Sequence, residues 1–209
     1  RETWRLFPAF RGRIAYLDIE TTGVAIGADS ITTVSVYDGR DIFCLVRGRD
    51  LHSLPSLLAR YDVLVTYNGK AFDVPCIQAE FGIRLPHAHI DLCHVCHSLG
   101  ITGGLKKTEQ RLGIARPGLD GIDGYAAVIL WELYARDGDQ RLLDTLMAYN
   151  IADTVNLEKL MVTVYNLKLR DTPFFPRERL EMPVDPELPC APDPDVVADV
   201  TALMSPTFF

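Results

Sequence analysis

The first third of the sequence has the composition of β-strands and the remainder has the spacing of helices, and this order constrains the fold most. Strand-like runs rich in β-branched and other apolar residues lie at 13–19, 30–38, 41–47 and 62–67. Asp38-Gly39 predicts a hairpin turn between the second run and the third. A short helix is expected from Ser53 to Tyr61, with Ser53 as its cap. The sequence therefore predicts an α/β fold whose sheet is mainly antiparallel at its start.

Helical spacing takes over after about residue 72. Pro75 and Gly82 mark the first turn and the end of one helix. Further helical segments follow at 91–100, 104–113, 124–139 and 139–170. The last segment is long enough to contain a break near Tyr149–Asn150.

The bulk composition predicts one folded domain with an extension. A chain of 209 residues with 48% hydrophobic and 23% charged residues can bury one substantial core. Residues 171–209 contain eight of the 13 prolines and eight acids against two arginines, so most of the net charge of −7 lies there. We predict a domain over residues 1–170 and an acidic, proline-rich extension over residues 171–209, to which a protein partner could bind.

The cysteine content favours a cytoplasmic location without membrane association. The five cysteines are an odd number, and three of them lie in apolar segments. Such usage is typical of reduced, intracellular thiols. No run of the sequence approaches the ~18 apolar residues of a membrane span.

Two carboxylates stand at the end of the first strand-like run. In "AYLDIETTG" one residue separates Asp18 from Glu20, so their side chains share one face of a strand, about 6–7 Å apart. Two such acids repel each other unless a positive group lies between them, and Mg²⁺ or Mn²⁺ prefers oxygen ligands. An ordinary solvated strand end explains this segment alone about equally well.

Two later segments contain further acids. Asp73 in "YNGKAFDVP" begins a helix after a buried strand, where backbone N–H groups favour anionic chemistry. Taken alone, Asp73 is more simply interpreted as a helix N-cap. In "YNIAD", Tyr149 and Asp153 are four residues apart and share one face of a helix, which is weak evidence by itself.

The three segments together form a specific combination: D-x-E on the first strand, N-x-x-x-F-D after a later strand, and Y-x-x-x-D on a late helix. This combination resembles the DEDD superfamily of ribonuclease-H-like 3′→5′ exonucleases, in the DEDDy branch that has Tyr in its third motif. Within that branch it is most similar to the YprB-like bacterial family. The resemblance covers about residues 12–165. It implies a ribonuclease-H-like α/β fold, with a mixed central sheet flanked by helices.

The resemblance also implies an activity and a site. Four carboxylates would hold two divalent ions, Mg²⁺ or Mn²⁺: Asp18, Glu20, Asp73 and Asp153. Tyr149 would orient the attacking water or help to deprotonate it. The expected reaction is hydrolysis of single-stranded DNA or RNA from the 3′ end, releasing nucleoside 5′-monophosphates. An endonuclease, a nuclease of structured ends, and a nucleic-acid-binding subunit without turnover are the alternatives.

Residues beside these motifs are candidate substrate contacts: Thr21, Thr22, Asn68, Phe72 and Lys106. The two threonines could meet the terminal nucleotide. Asn68 and Phe72 could contact its sugar or stack near the scissile bond, although Phe72 could equally be core and Asn68-Gly69 only a turn. Lys106, Lys107 and Arg111 could form a basic face that follows phosphates, and a solvated helix surface is an equally good interpretation.

Cysteines and histidines cluster at residues 87–98. Cys93 to His97 match the C-x-x-C-H pattern of haem attachment, and His87 and His89 add further ligands for a zinc site. Haem attachment needs an exported protein, and a structural zinc site usually has a second ligand pair. Cys96 also lies on an apolar helical stripe, where a thiol packs as a small hydrophobe. We therefore interpret the cluster as core and surface residues of a connecting helix.

Overall fold

A mixed five-stranded sheet organises the part of the chain that the computed structural model describes, residues 2–23 and 30–204. The strands are β1 (Ile14–Thr21), β2 (Ile31–Tyr37), β3 (Ile42–Val46), β4 (Val63–Thr66) and β5 (Ala88–Asp91). Their order across the sheet is β3-β2-β1-β4-β5. The pairs β1–β2 and β2–β3 are antiparallel, whereas β1–β4 and β4–β5 are parallel. The mixed sheet and the antiparallel start predicted from the sequence are confirmed.

Helices flank the sheet and follow it in the chain. Their bounds are α1 (Phe7–Phe10), α2 (Leu54–Leu58), α3 (Asp73–Phe81), α4 (Leu92–His97), α5 (Leu105–Leu112), α6 (Gly124–Asp137), α7 (Gln140–Leu169), α8 (Phe175–Glu178) and α9 (Pro194–Met204). Short 3₁₀ helices lie at Thr3–Leu6, Arg11–Arg13 and Leu51–Ser53. No helix within residues 2–23 and 30–204 combines the length and the apolar character that crossing a bilayer requires.

Three local features differ from what the sequence indicates. The break near Tyr149–Asn150 that the length of the last segment allowed does not occur, because α7 continues unbroken. Ser53 does not cap α2; its own backbone is helical and its hydroxyl donates to the Asp50 carbonyl at 2.8 Å. Strand β5 was not predicted, since its short "AHID" sequence lacks a clear strand composition and forms by pairing with the free edge of β4.

The two faces of β1 belong to different cores. Ile14 and Tyr16 pack with residues of α7, such as Ile151 and Leu160, in one cluster. The alternate residues of β1 pack on the other face in a second cluster with α2 and α3. Because side chains alternate along a strand, Asp18 and Glu20 continue the row of Ile14 and Tyr16 and face α7. The register of β1 therefore determines that Asp18 and Glu20 lie on the face of the sheet that packs against α7.

A third apolar cluster joins α6, α7 and α9. Val196 and Val200 of α9 are buried there, with Leu130 of α6 and Leu146 of α7. Polar contacts fix the segment before α9, where the Thr145 hydroxyl accepts from the backbone N–H of Asp193 at 3.0 Å. The described part of the extension, residues 171–204, thus packs on the domain, while the domain boundary at residue 170 stays a prediction.

Packing of α9 predicts that substitution of two valines of the extension will have very different effects on stability. Val200 is 1% exposed and Val184 is 89% exposed. Val200→Asp should lower the free energy of unfolding by about 2–4 kcal/mol because it buries an unpaired charge, whereas Val184→Asp should change it by less than about 0.5 kcal/mol. Urea unfolding followed by circular dichroism measures both values. Equal stability of the two variants would contradict the packed position of α9.

Candidate functional site

Strand β1 extends beyond the end of its parallel neighbour β4. The β1–β4 pairing ends at Tyr16 and Val65, whereas β1 continues to Thr21 beside β2. A register shift between Glu20 and Thr21 then bends the strand end, as bulges near functional sites commonly do. The carboxyl end of β1 is therefore open on one side, and the two acids predicted from the sequence lie there.

Helix α7 brings a third acid to this open end. One carboxylate oxygen from each of Asp18, Glu20 and Asp153 lies within 4.8 Å of the others. Asn150, one turn before Asp153, donates its side-chain N–H to Asp18 at 2.7 Å. An all-oxygen, largely buried cluster of this size can hold a hard divalent cation. The side-chain oxygen Oδ1 of Asn150, which is buried and has no hydrogen-bond partner in the described ranges, also fits a polar site that takes a further ligand.

The fourth predicted acid, Asp73, adjoins this cluster without belonging to its closest group. It is 5% exposed at the start of α3. Burial raises the pKa of Asp73 to about 7, while hydrogen bonds from its own backbone N–H and that of Ile19 oppose the shift. Asp73 thus lies beside the open edge of β1.

The loop before Asp73 is held by the buried carboxylate of Asp91. Asp91 accepts from the backbone N–H groups of Asn68 at 2.9 Å and Lys70 at 3.1 Å. Asn68 is left-handed, with φ 65°, a conformation in which Asn is enriched. A Cβ on Gly69 would collide with the side chain of Thr66. The turn at Asn68-Gly69, one of the two interpretations of this segment, is present. Asp91 was missed, although its place just before a helix is a recognisable cap position.

The acids of β1 carry strongly shifted pKa values. Burial raises the pKa of both Asp18 and Glu20 well above their ordinary values, and the charges of Asp153 and Asp73 raise them further. The hydrogen bond from Asn150 partly opposes the shift at Asp18. Such a set of acids is costly to ionise together, so a bound cation would lower the energy of the charged form.

Two cationic side chains border the acids. Arg116 forms ion pairs with Asp153 and with Glu109, a residue of α5 that is 1% exposed. The Lys106 ammonium donates to the carbonyl of Ile122 and lies 4.6 Å from the centre of the Tyr149 ring. Arg116 and Asn150 were missed from the sequence. Asn150 shares a helix face with Asp153 at i, i+3, which could have indicated it, whereas no motif surrounds Arg116.

Tyr149 lies beside the acidic cluster. It is 4% exposed, and its hydroxyl lies beside the carboxylate of Asp153, whose pKa it lowers. Burial, followed by the charges of Asp153 and Glu20, raises the pKa of Tyr149 above its ordinary value. The structure therefore brings the Tyr and the Asp of the "YNIAD" segment together on the face of α7 that meets β1.

The other residues predicted to contact substrate differ in their exposure to solvent. Thr21 is buried and its hydroxyl donates to the Gly23 carbonyl at 2.5 Å, while Thr22 and Asn68 are exposed. Phe72 is half-buried against the α2–α3 side of the sheet. The predicted basic face is divided, because Lys106 turns toward the acids whereas its neighbour Lys107 is exposed. Arg111, also exposed, donates to the Gly100 carbonyl at 3.3 Å.

The Cys and His residues at 87–98 form no metal-ligand group within the described residues. Cys96 is fully buried in the core beside α7. His89 pairs with the Thr66 hydroxyl at 2.8 Å, and burial lowers the pKa of His89 to about 4. His87 pairs with the Leu58 carbonyl at 2.9 Å. These contacts favour the core-and-surface interpretation of the segment.

Fold and site together define a ribonuclease-H-like protein with an acidic centre that can bind a divalent metal. A model of the RNase_H superfamily matches residues 15–165. Because that match covers well over half of the chain, the protein belongs to the RNase H superfamily, a superfamily of nucleases. The predicted family is thereby confirmed.

Individual relatives agree with this assignment. The chain is 28% identical over 194 residues to the uncharacterized protein YprB of Bacillus subtilis (strain 168), an alignment that covers 82% of this chain and 46% of YprB. The chain therefore spans less than half the length of this relative. Among solved structures, the family B DNA polymerase from the hyperthermophilic archaeon Pyrobaculum calidifontis matches with a TM-score of 0.53 at 18% identity, over 74% of this chain and 25% of the polymerase chain. At that identity the likeness shows the fold alone.

The raised pKa of Asp73 predicts that the metal-free protein becomes less stable as the pH rises. The unfolded chain ionises this acid near pH 4, whereas the folded state retains the proton to about pH 7. Stability is therefore lost as the pH rises between these values. Asp73→Asn should raise the free energy of unfolding by roughly 1–3 kcal/mol at pH 8 and by much less at pH 4.5.

Urea unfolding in EDTA at the two pH values measures this effect. Asp199→Asn, the same change at an exposed position of α9, is the matched control and should have little effect at either pH. If Asp73→Asn changed the free energy of unfolding equally at both pH values, the raised pKa of a buried Asp73 would be contradicted.

Proposed function

We propose that this chain is a metal-dependent 3′→5′ exonuclease that hydrolyses single-stranded DNA or RNA and releases nucleoside 5′-monophosphates. The observation that carries the proposal is the convergence of Asp18, Glu20 and Asp153, whose oxygens lie within 4.8 Å although strand and helix are far apart in the sequence. Membership of a nuclease superfamily supports it. Because the chain spans less than half of YprB, the proposal concerns the chemistry of this domain.

The acidic residues and Tyr149 would have different roles in the reaction. Two Mg²⁺ or Mn²⁺ ions would be held by Asp18, Glu20 and Asp153, with Asp73 beside them; such ions stabilise the charge that develops on the attacking and leaving oxygens. The Tyr149 hydroxyl, which lies beside Asp153, is suited to orient the attacking water. No protein nucleophile is required for hydrolysis of this kind.

Further side chains would contact the substrate. Thr22 and Asn68 are exposed near the carboxyl ends of β1 and β4, where they can meet a terminal nucleotide. Thr21 has its hydroxyl engaged with Gly23, so its backbone is the better candidate for that contact. Phe72 retains a partly exposed ring for stacking, and Lys106 supplies positive charge beside the acids.

Loss of a metal-ligating carboxylate should abolish activity without unfolding the protein. We expect Asp18→Asn and Asp153→Asn to cleave a 5′-labelled single-stranded oligonucleotide at least ~10³-fold more slowly than the wild type in Mn²⁺ or Mg²⁺. Tyr149→Phe should lose less, because it keeps all four carboxylates. Gel electrophoresis of the labelled products over time gives the rates, and EDTA should stop the reaction.

Controls separate this activity from the alternatives. Asp199→Asn repeats the chemical change on the surface of α9 and should cleave at the wild-type rate. A circular single strand should remain intact, since an exonuclease needs an end; cleavage of the circle would indicate an endonuclease. Binding without turnover by the wild type in either metal would indicate a nucleic-acid-binding subunit. Full activity of Asp18→Asn would refute the assigned site.

A further inference from the structure

Arg116 reaches the acidic cluster from the segment between α5 and α6. Its side chain is 11% exposed, and the guanidinium bridges two carboxylates: Nε donates to Glu109 and Nη1 donates to Asp153. Glu109 is held in turn by the side-chain N–H of Asn156 at 3.0 Å. Asn156 also donates to the carbonyl of Ala115 at 3.3 Å, next to Arg116 in the chain. The guanidinium is therefore fixed from both sides.

One end of this fixed guanidinium is unused. Nη2 of Arg116 is buried and has no hydrogen-bond partner within the described part of the chain. Buried donors of a charged group are costly when left unpaired, and native structures rarely keep one without a reason. Since Nε and Nη1 are both engaged, a further acceptor at Nη2 would complete the pairing of the group without displacing either carboxylate.

Charged side chains of both signs surround that acceptor position. Arg116 lines a cleft of about 410 Å³ with Lys106 and Lys107, and Glu109, Asp120 and Asp123 also line it. Lys106 lies close enough to Asp153 for the two charges to interact. A phosphate group that approaches the acids would meet strong repulsion unless cations such as these lie in its path. Arg is suited to this task because its planar fork can bind a carboxylate and a phosphate oxygen at the same time.

We infer that Arg116 is a phosphate-binding residue: its Nη2 donates to a non-bridging oxygen of the substrate phosphodiester nearest the acidic cluster, with Lys106 as the second cation. The inference rests on the proposed function, because it needs a phosphodiester at the site. Glu109 and Asn156 are positioning residues that hold the guanidinium in place. The alternative role for Arg116 is to orient Asp153 alone.

The two roles differ in how they depend on the charge of the phosphate. The probe is a 5′-fluorescein oligothymidylate whose last internucleotide linkage is either natural or a neutral methylphosphonate. Binding is measured by fluorescence anisotropy in Ca²⁺, and gel electrophoresis checks that the strand stays intact. Arg116→Gln should weaken binding of the natural strand by about 10-fold and binding of the methylphosphonate strand by less than about 2-fold.

Two further variants sharpen the result. Arg116→Lys keeps one positive charge but not the fork, so it should bind the natural strand with an affinity between those of Arg116→Gln and the wild type; it also serves if Arg116→Gln does not fold. Arg136→Gln changes an exposed arginine on α6 that pairs with Asp137 and should bind both strands like the wild type. Mn²⁺ affinity, followed by electron paramagnetic resonance, should change little in Arg116→Gln.

Several outcomes would overturn the inference. Equal weakening of both strands in Arg116→Gln, or a large loss of Mn²⁺ affinity, would show that Arg116 acts only by orienting Asp153. Wild-type affinity of Arg116→Gln or of Arg116→Lys for the natural strand would exclude the phosphate contact. An inactive wild type that binds neither strand would instead refute the proposed function, and the inference with it.

Discussion

Repulsion between buried carboxylates is the constraint around which the site is built. Asp18, Glu20 and Asp153 bring their oxygens within 4.8 Å, an arrangement that would favour protonation or opening if nothing opposed it. The contacts around them all reduce this cost: Asn150 donates to Asp18, and Arg116 pairs with Asp153. Neutralisation by side chains is only partial, because four acids face two cations. With this remaining negative charge the centre can hold a divalent metal.

The energy that holds the acids together comes from apolar packing elsewhere. On β1, Ile14 and Tyr16 anchor the strand against α7, and the same row of side chains then continues into Asp18 and Glu20. Helix α7 is 30 residues long, so one rigid element packs on the sheet and also carries the third acid. The early end of β4 leaves this edge of β1 open, and Asp73 lies beside it. The geometry of the centre thus follows from strand lengths and register.

The sequence predicts those parts of the molecule that depend on periodicity. Alternation along β1 placed Asp18 and Glu20 on one face, and the i, i+4 spacing placed Tyr149 with Asp153. Strand β5 was beyond prediction because pairing with β4, rather than its own composition, stabilises it. The length of the last segment allowed a break near Asn150, which α7 does not have; Asn150 is buried there, and the fold alone supplies its partner Asp18 on β1. Arg116 could not be placed for a similar reason: its approach to Asp153 depends on the path of a loop.

The extension is linked to the centre through the apolar cluster of α6, α7 and α9. Tyr149 belongs to that cluster together with Val196 and Val200, while its hydroxyl faces Asp153 on the other side. The ring therefore packs in the same cluster as α9, a helix some forty residues beyond it in the chain. A rotamer of Tyr149 that suits Asp153 must also suit the packing of this cluster. The acidic, proline-rich composition of residues 171–209 concealed this link: prolines and acids precede α9, and a few apolar residues on one face of α9 join it to the cluster.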